Sequence, residues 1–372
     1  MKKIAVLPGD GVGQEVTAEA IKVFDTISEK YGHAFDYEYA LVGGAAVDAY
    51  GTALPQETLD LCRTSDAILF GAAGGPKWDN LPSHQRVERA LATIRKELDL
   101  YVNLRPMKVR PALAPVLPIK KEIVGDGLDF IVLRELTGGL YYGEPRGIFF
   151  EADGKRKGLN TLVYTDYEIE RIARAAFELA RTRSKRVTSV AKENMMESSR
   201  LWRDVVTEVS RDYPDVELNH VLIDAATYHL IRNPRQFDVI VTGNIFGDIL
   251  TDEAAALVGS LGLCPSASYG DSARRFAKQT AGQSEQGLYE PIHGTAPDIA
   301  GQGIANPIGA ILSAALLLRH SFEMKKEAEE IERAVENVLE KGYRTTDIAQ
   351  AGKKTVGTKE MGELIADELH TF

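Results

Sequence analysis

Residues 242–262, "TGNIFGDILTDEAAALVGSLG", read as a helix with an apolar face of Ile245, Ile249 and Ala256 that also carries Asp248 and Asp252 one turn apart. Like charges at that spacing repel by roughly 0.2–0.5 kcal/mol, and a lone pair of this kind usually marks a solvated acidic edge. A third carboxylate changes the balance. The run "VLID" puts Asp224 at the carboxyl end of a predicted strand, where α/β proteins build their sites. Asp224, Asp248 and Asp252 together would be an oxygen-rich set suited to Mg2+ or Mn2+, which take carboxylates, water and substrate oxygens. A bound cation would remove the repulsion.

Arginines supply the complementary charge. Arg95 and Arg105 lie in "ATIRKELDLYVNLRP", and Arg134 ends the apolar run "IVLREL". A guanidinium at a strand end is costly to bury without an anion, and its planar fork matches a carboxylate. Each arginine alone reads as a surface ion pair; three beside a metal cluster would grip a di-acid that also chelates the metal. Tyr141, after "TGG", and Lys192, ending "TSVAK", are the side chains that could move protons there. Taken singly they read as a packed aromatic and a solvated strand end. The glycine-rich "GDGVG" is G-x-G-x-G rather than G-x-G-x-x-G, with no acidic ribose partner closing a second strand. It reads as a tight strand-to-helix turn and not as a dinucleotide fingerprint.

These residues need a scaffold of strands and helices, and the chain supplies one. Short apolar runs alternate with amphipathic segments, the pattern of a largely parallel α/β protein. Strands are predicted over 2–7, 67–75, "LDFIVLREL", "KRVTSVAK", "VELNHVLID" and "FDVIVTG". Helices are predicted after the first strand (Val16, Ala20, Val23, Phe24, Ile27), near 86–98, over 166–181, in "SSRLWRDVVTEVS", and near 305–321 and 324–340, the last two closing the chain. "IFFEADGKRKG" reads as a hairpin turning at Asp153-Gly154, an arm suited to association. The proline-punctuated 110–118 reads as an extended connection. The 372 residues suggest about two domains. A net charge of −10 argues against nucleic acid or an anionic membrane as partner. The start reads as a strand and not a signal peptide, and the apolar run 308–318 is too short to span a bilayer. Two distant cysteines, Cys62 and Cys264, fit a reducing cytoplasm.

Together the segments resemble the β-decarboxylating dehydrogenases, the isocitrate/isopropylmalate dehydrogenase family, over nearly the whole chain. The most specific pieces are "LPGDGVGQEV", "GGPKWDN", "NLRPMKV", "RELTGGLYYGEPRG", "ESSRLWR", "IRNPRQFDVIVTGNIFGDILTDEAA", "LYEPIHGTAPDIAGQGIANP" and "AILSAALLLR". "RELTGG" points to the branch acting on 3-alkylmalates. The resemblance implies a two-domain α/β fold with a largely parallel sheet, not of the Rossmann type. Residues 1–100 and 259–372 would form a discontinuous domain with most of the NAD site. Residues 101–258 would carry the dimer interface, the arm and the metal ligands.

It also implies roles. Asp224, Asp248 and Asp252 would hold the metal, with Asp224 also touching substrate. Arg95, Arg105 and Arg134 would clamp the malate carboxylates, Lys192 would act as general base and Tyr141 as general acid. Glu88, Leu91, Ala92 and Met195 would line the pocket for the substrate's alkyl group. NAD would meet Gly75, Pro76, Lys77, Trp78 and Glu88 near the nicotinamide end, and Asn194 as well. Glu290, His293, Gly294, Thr295, Ala296, Pro297, Asp298, Ile299 and Asn306 would surround the rest, with Asp298 on the adenosine ribose. A carboxylate there would repel a 2′-phosphate, favouring NAD over NADP. Lys192 and Asp224 would reach into a partner's site, so a homodimer with shared active sites is expected. The implied reaction is NAD- and metal-dependent oxidative decarboxylation of a 3-alkylmalate, with 3-isopropylmalate of leucine biosynthesis expected.

The chain departs from the family pattern in places. "VERALATIR" keeps Glu88 and Leu91 but has Ala92 for a usual leucine, and Met195 stands where valine is common. One change opens the alkyl pocket and the other fills it, leaving malate, 3-methylmalate or tartrate as alternative substrates. "DAATYHL" sets Thr227 and Tyr228 beside Asp224, and the link 269–286 is longer and more basic than usual. A non-catalytic regulatory subunit or a metal-dependent hydrolase built on the aspartates are readings from other classes; the intact acid, base and arginine set argues against the first.

Overall fold

A computed structural model describes residues 1–82, 85–125, 127–270 and 286–372. Its strands of four residues or more are β1 Lys2–Gly9, β2 Phe35–Tyr39, β3 Ala67–Ala72, β4 Val102–Lys108, β5 Asp129–Glu135, β6 Gly147–Phe150, β7 Arg156–Leu159, β8 Arg186–Ala191, β9 Glu217–Leu222, β10 Val239–Thr242, β11 Pro265–Tyr269 and β12 Gly287–Pro291. The helices are α1 Gly13–Tyr31, α2 Gly44–Tyr50, α3 Gln56–Thr64, α4 Glu88–Glu97, α5 Lys121–Val124, α6 Asp166–Arg181, α7 Glu197–Ser210, α8 Ile223–Arg232, α9 Asn244–Val258, α10 Ile308–His320, α11 Lys325–Glu340 and α12 Thr358–Leu369.

One ten-stranded sheet runs in the order β2-β1-β3-β12-β11-β4-β5-β10-β8-β9. Pairs are parallel except at its middle, where β11 is antiparallel to β12 and β4, and β4 is antiparallel to β5. The sheet divides two layers of core because side chains alternate along each strand. Ile4 and Val6 face one layer while Ala5 and Leu7 face the other. The first layer is roofed by α1, α6, α7, α10, α11 and α12. The second takes α3 and α4 at one end and α8 and α9 at the other. Both faces are dry, so strands such as β3 are apolar throughout, which is why they were legible.

Helix α6 falls on 166–181 as expected, started by a capping box in which Thr165 and Glu168 exchange hydrogen bonds. The arm is the antiparallel β6–β7 hairpin, with Ile148, Phe149 and Phe150 exposed. Several expectations need correction. Residues 324–340 do not close the chain: α12 follows, and its stripe Met361, Ile365, Leu369 is buried against α1 and α11. Residues 111–116 form a 3-10 helix instead of an extended link, with Pro111 at its start, where a missing N–H costs nothing. Asp224 lies in the first turn of α8, not at the end of β9. The apolar face assigned to α9 was the wrong one. Ile249 is 60% exposed and Ala256 points outward, while Gly247, Leu250, Thr251, Ala254 and Ala255 are buried. The 269–286 link lies almost wholly outside the described residues.

Candidate active site

The register of three neighbouring strands builds the charged floor. Ser268 of β11 pairs with Asn103 of β4, which pairs with Arg134 of β5. Paired residues share a face, and so does Arg105, two positions from Asn103. Asn103 donates to Ser268 Oγ at 3.1 Å and accepts from Arg105 Nε at 2.7 Å. Helix α9 lies over this row. Its residues Asn244, Asp248 and Thr251 recur at the four- and three-residue spacing of one helix face. Arg134 donates from Nη1 to Asp248 at 2.5 Å, and from Nε and Nη2 to Asn244 Oδ1 at 3.0 and 2.7 Å. Arg105 donates from Nη1 to Thr251 Oγ1 at 2.5 Å and stands 3.8 Å from Asp248. Helix and strand come this close because residue 247 is glycine: a Cβ there would sit 2.7 Å from Arg134 Cγ.

Tyr141 reaches the same carboxylate, donating to Asp248 Oδ2 at 2.8 Å. Burial pushes its phenol up to about 12, and the neighbouring Asp248 charge adds to that. Burial also opposes ionisation of Asp248, but Arg134 and Arg105 outweigh it and hold the carboxyl below its ordinary range. Burial brings Arg105 down to about 10, with the like charge of Arg134 contributing. Arg95 is paired with Glu290. For Asp252, burial raises the carboxyl, and Asp248 pushes the same way. A hard divalent cation between these two oxygens would answer both effects, so the donors fit Mg2+ or Mn2+.

Arg95, Arg105, Arg134, Tyr141, Asp248 and Glu290 line a cleft of about 1530 Å³ together with Glu88, Leu91, Ala92, His293, Gly294 and the arm's Ile148; Asp252, exposed one turn along α9, is not part of that lining. That exceeds the roughly 300–1,000 Å³ of a pocket for one small molecule. The expected cofactor residues divide. Glu88, Glu290, His293 and Gly294 line the cleft, and His293 Nε2 is buried with no partner among the described residues. Thr295, Ala296, Pro297, Asp298 and Ile299 follow in sequence but are not in the lining: Thr295 is buried, Ala296 and Ile299 pack on the core, and Asp298 is exposed. Gly75, Pro76, Lys77 and Trp78 form a short turn on α2, where Lys77 and Trp78 both bond Asp48. Asn306 is buried and committed to Asp347 and the first turn of α10.

Lys192, Asp224, Asn194 and Met195 are not brought to this cleft. Lys192 pairs with Asp224 at 2.5 Å, which holds that carboxyl below its usual range. Met195 is 77% exposed. Among the described residues no group of three or more potential ligands converges on one point within the chain.

The "PGDGVGQE" turn is a brace between loops. Gly9 and Gly11 have φ of 69° and 56°, and a Cβ would meet the Ala72 and Thr295 carbonyl oxygens at 1.8 and 2.1 Å. Asp10 accepts from the backbone N–H groups of Gly44, Ala45 and Gly74. Glu15 accepts from those of Gly301 and Gly303. The sequence reading missed Asp10, Glu15, Asn103, Asn244 and Thr251. For Asn244 and Thr251 the signal was present, since they share Asp248's helix face.

Fold and cleft together define the class, an α/β enzyme with a charged small-molecule cleft. The model of the isocitrate/isopropylmalate dehydrogenase family matches residues 3–365, and the chain belongs to that family. It is 57% identical over 367 residues to the 3-isopropylmalate dehydrogenase of Aquifex aeolicus, covering 99% of this chain and 97% of that one. The 3-isopropylmalate dehydrogenase of Priestia megaterium is 56% identical over 364 residues, covering 98% and 95%. Among solved structures, isocitrate dehydrogenase from Methylococcus capsulatus has a TM-score of 0.85 at 33% identity, covering 99% of both chains. A β-decarboxylating dehydrogenase from Thermococcus kodakarensis has a TM-score of 0.76 at 34% identity, covering 100% and 97%.

Proposed function

We propose that the protein catalyses the NAD- and divalent-metal-dependent oxidative decarboxylation of (2R,3S)-3-isopropylmalate to 4-methyl-2-oxopentanoate and CO2, a step of leucine biosynthesis. The observation that carries this is the meeting of Arg134, Arg105 and Tyr141 on Asp248 in one cleft, in a chain so close to proteins of that name. Arg95, Arg105 and Arg134 grip the substrate carboxylates, since guanidinium forks match them. Lys192 takes the C2 hydroxyl proton, and Tyr141, a phenol that is protonated at neutral pH and that burial pushes up further to about 12, returns a proton to the enol carbon. NAD supplies the hydride acceptor, and Mg2+ or Mn2+, held by Asp248 and Asp252, supplies Lewis acidity toward the 2-oxo acid.

Two carboxylates are fewer than such a cation takes, and Lys192 and Asp224 sit outside the cleft of their own chain. A homodimer in which each copy lends Lys192, Asp224, Asn194 and Met195 to the other accounts for both facts. The proposed units, 1–100 with 259–372 and 101–258, divide the sheet between β11 and β4. Cys62 and Cys264 are free and buried, as the proposed cytoplasmic setting requires. No helix among the described residues is long and apolar enough to cross a membrane.

The test is NADH formation on mixing protein, NAD, Mg2+ and substrate, with kcat/KM compared across malate, 3-methylmalate, isocitrate, tartrate and 3-isopropylmalate. Preference for isocitrate, or turnover without a nicotinamide, would defeat the proposal. A preference for another 3-substituted malate is the second reading, favoured by Ala92 in the cleft lining.

A further inference from the structure

The turn that delivers Tyr141 and the arginine beside it share a single buried amide. Asn244, 1% exposed at the start of α9, has both ends of its side chain engaged. Its oxygen accepts from Arg134 Nε and Nη2 at 3.0 and 2.7 Å. Its nitrogen donates to the carbonyls of Leu136 and Gly138 at 3.1 and 3.2 Å. Its backbone N–H donates to Tyr164 Oη at 2.7 Å, which fixes the residue itself.

The turn 136–138 has its other polar groups tied as well. Buried Glu135 accepts from the N–H groups of Thr137 and Gly138 and from the Thr137 hydroxyl, at 2.8, 2.9 and 2.9 Å. Glu135 therefore holds the Thr137 and Gly138 donors, the Tyr101 carbonyl takes the Leu136 N–H, and Asn244 holds the carbonyls of Leu136 and Gly138. The chain passes directly from there into the 3-10 turn Gly139–Tyr141. An amide is the side chain this place requires. A carboxylate has no donor for two carbonyls, and an amine has no acceptor for a guanidinium.

We propose that Asn244 is a positioning residue that locks the Arg134 guanidinium in plane with one end and sets the Tyr141 turn with the other, coupling substrate grip to proton delivery. This rests on the reading of Arg134 as a clamp and Tyr141 as the acid. The two ends can be cut separately. Asn244→Asp keeps an acceptor for Arg134 but sets an oxygen against the carbonyls of Leu136 and Gly138. Asn244→Ala removes both ends.

The experiment measures kcat, the KM for 3-isopropylmalate and the solvent deuterium isotope effect on kcat, with circular dichroism and Tm establishing that each variant is folded. For Asn244→Asp the expected result is a KM within about threefold of the parent, a kcat lower by about 10- to 100-fold and a larger isotope effect. For Asn244→Ala, KM rises about tenfold or more and kcat falls as well, while the KM for NAD stays near the parent's. Equal movement of KM and kcat in Asn244→Asp, with an unchanged isotope effect, overturns the proposal, and it decides alone if Asn244→Ala does not fold. Arg134→Ala and Tyr141→Phe separate the two levels. If Arg134→Ala raises KM and Asn244→Ala does not, the positioning role alone is wrong; if Arg134→Ala leaves KM unchanged, the clamp reading falls and the proposal with it.

Discussion

Two charged regions of this chain carry the expected chemistry and are built in opposite ways. Around Asp248 the opposing groups come from within the chain: Arg134, Arg105 and Tyr141 converge on one carboxylate, under a helix and over a sheet. Around Lys192 and Asp224 the two groups answer each other, with no further charged partner among the described residues. The apolar side chains near them in sequence or on α8 and α9, Met195, Tyr228, Ile231 and Ile249, are exposed. A finished half-site beside an unfinished one is the arrangement that the proposed homodimer with shared sites predicts. Exposed apolar groups around a charged pair are what a surface presents before another surface covers it.

The sharpest way to break this comparison is to remove chemistry from each region. Chelating the metal should abolish turnover, and Asp248→Asn should weaken Mg2+ and substrate binding together, because both use that carboxylate. Lys192→Ala should lower kcat by about 10²- to 10⁴-fold, as loss of a general base does. Wild-type metal dependence in Asp248→Asn would mean the carboxylates were misassigned.

The alkyl pocket is the next largest effect. Ala92 lines the cleft, so Ala92→Leu should overfill it and penalise branched substrates more than malate. Overpacking of about 1–3 kcal/mol corresponds to roughly 5- to 150-fold in relative kcat/KM. Met195→Val should partly rescue that variant, but only through a partner copy, since Met195 is absent from its own chain's cleft lining. Equal loss on malate and 3-isopropylmalate would remove Ala92 from the pocket.

Mixing inactive variants addresses the comparison directly. If Lys192 serves the other copy, a mixed dimer of Lys192→Ala and Asp248→Asn holds one intact site. Random assortment then restores about a quarter of the parent activity. If Lys192 serves its own chain, nothing returns on mixing. Either result fixes which half-site belongs to which copy.

The smallest effect concerns stability beside the unfinished region. His220, on β9, has its pKa lowered by burial and then by Arg203. A histidine lowered in the folded state contributes stability that is complete above its unfolded value, about 6.5. That stability is lost as pH falls through 6.5 toward the folded value, because the unfolded chain then binds the proton more tightly. His220→Gln should therefore flatten the fall in Tm between about pH 7.5 and pH 5.5. An unchanged slope would show that the ring titrates at the same pH in the folded and unfolded states.

Much of this molecule was legible because local chemistry decided it. Strands β3, β5 and β10 are buried on both faces, so their apolar runs stood out. Helix α6 carries both a capping box and an apolar stripe, and its limits could be read to the residue. Strand β2 was passed over although Phe35, Tyr37 and Tyr39 alternate with Asp36 and Glu38, because it is short and lies at the sheet edge. Strand β4 escaped for another reason. Its Asn103 and Arg105 break the apolar run, and they are polar because they form the site floor.

What the sequence determined by itself was the inventory: which residues can hold charge, a cation or a proton, and where glycine must let backbones approach. Spacing along one helix or strand reaches only a few residues, so it could pair Asp248 with Asp252 and no further. The tertiary structure decided the rest. Asn103, Arg105 and Arg134 share a face only because β4 and β5 pair in one register, and a slip of one residue would turn Arg134 to the other layer. That register, and the side of α9 turned toward it, are set by long-range burial, which no local pattern of residues encodes.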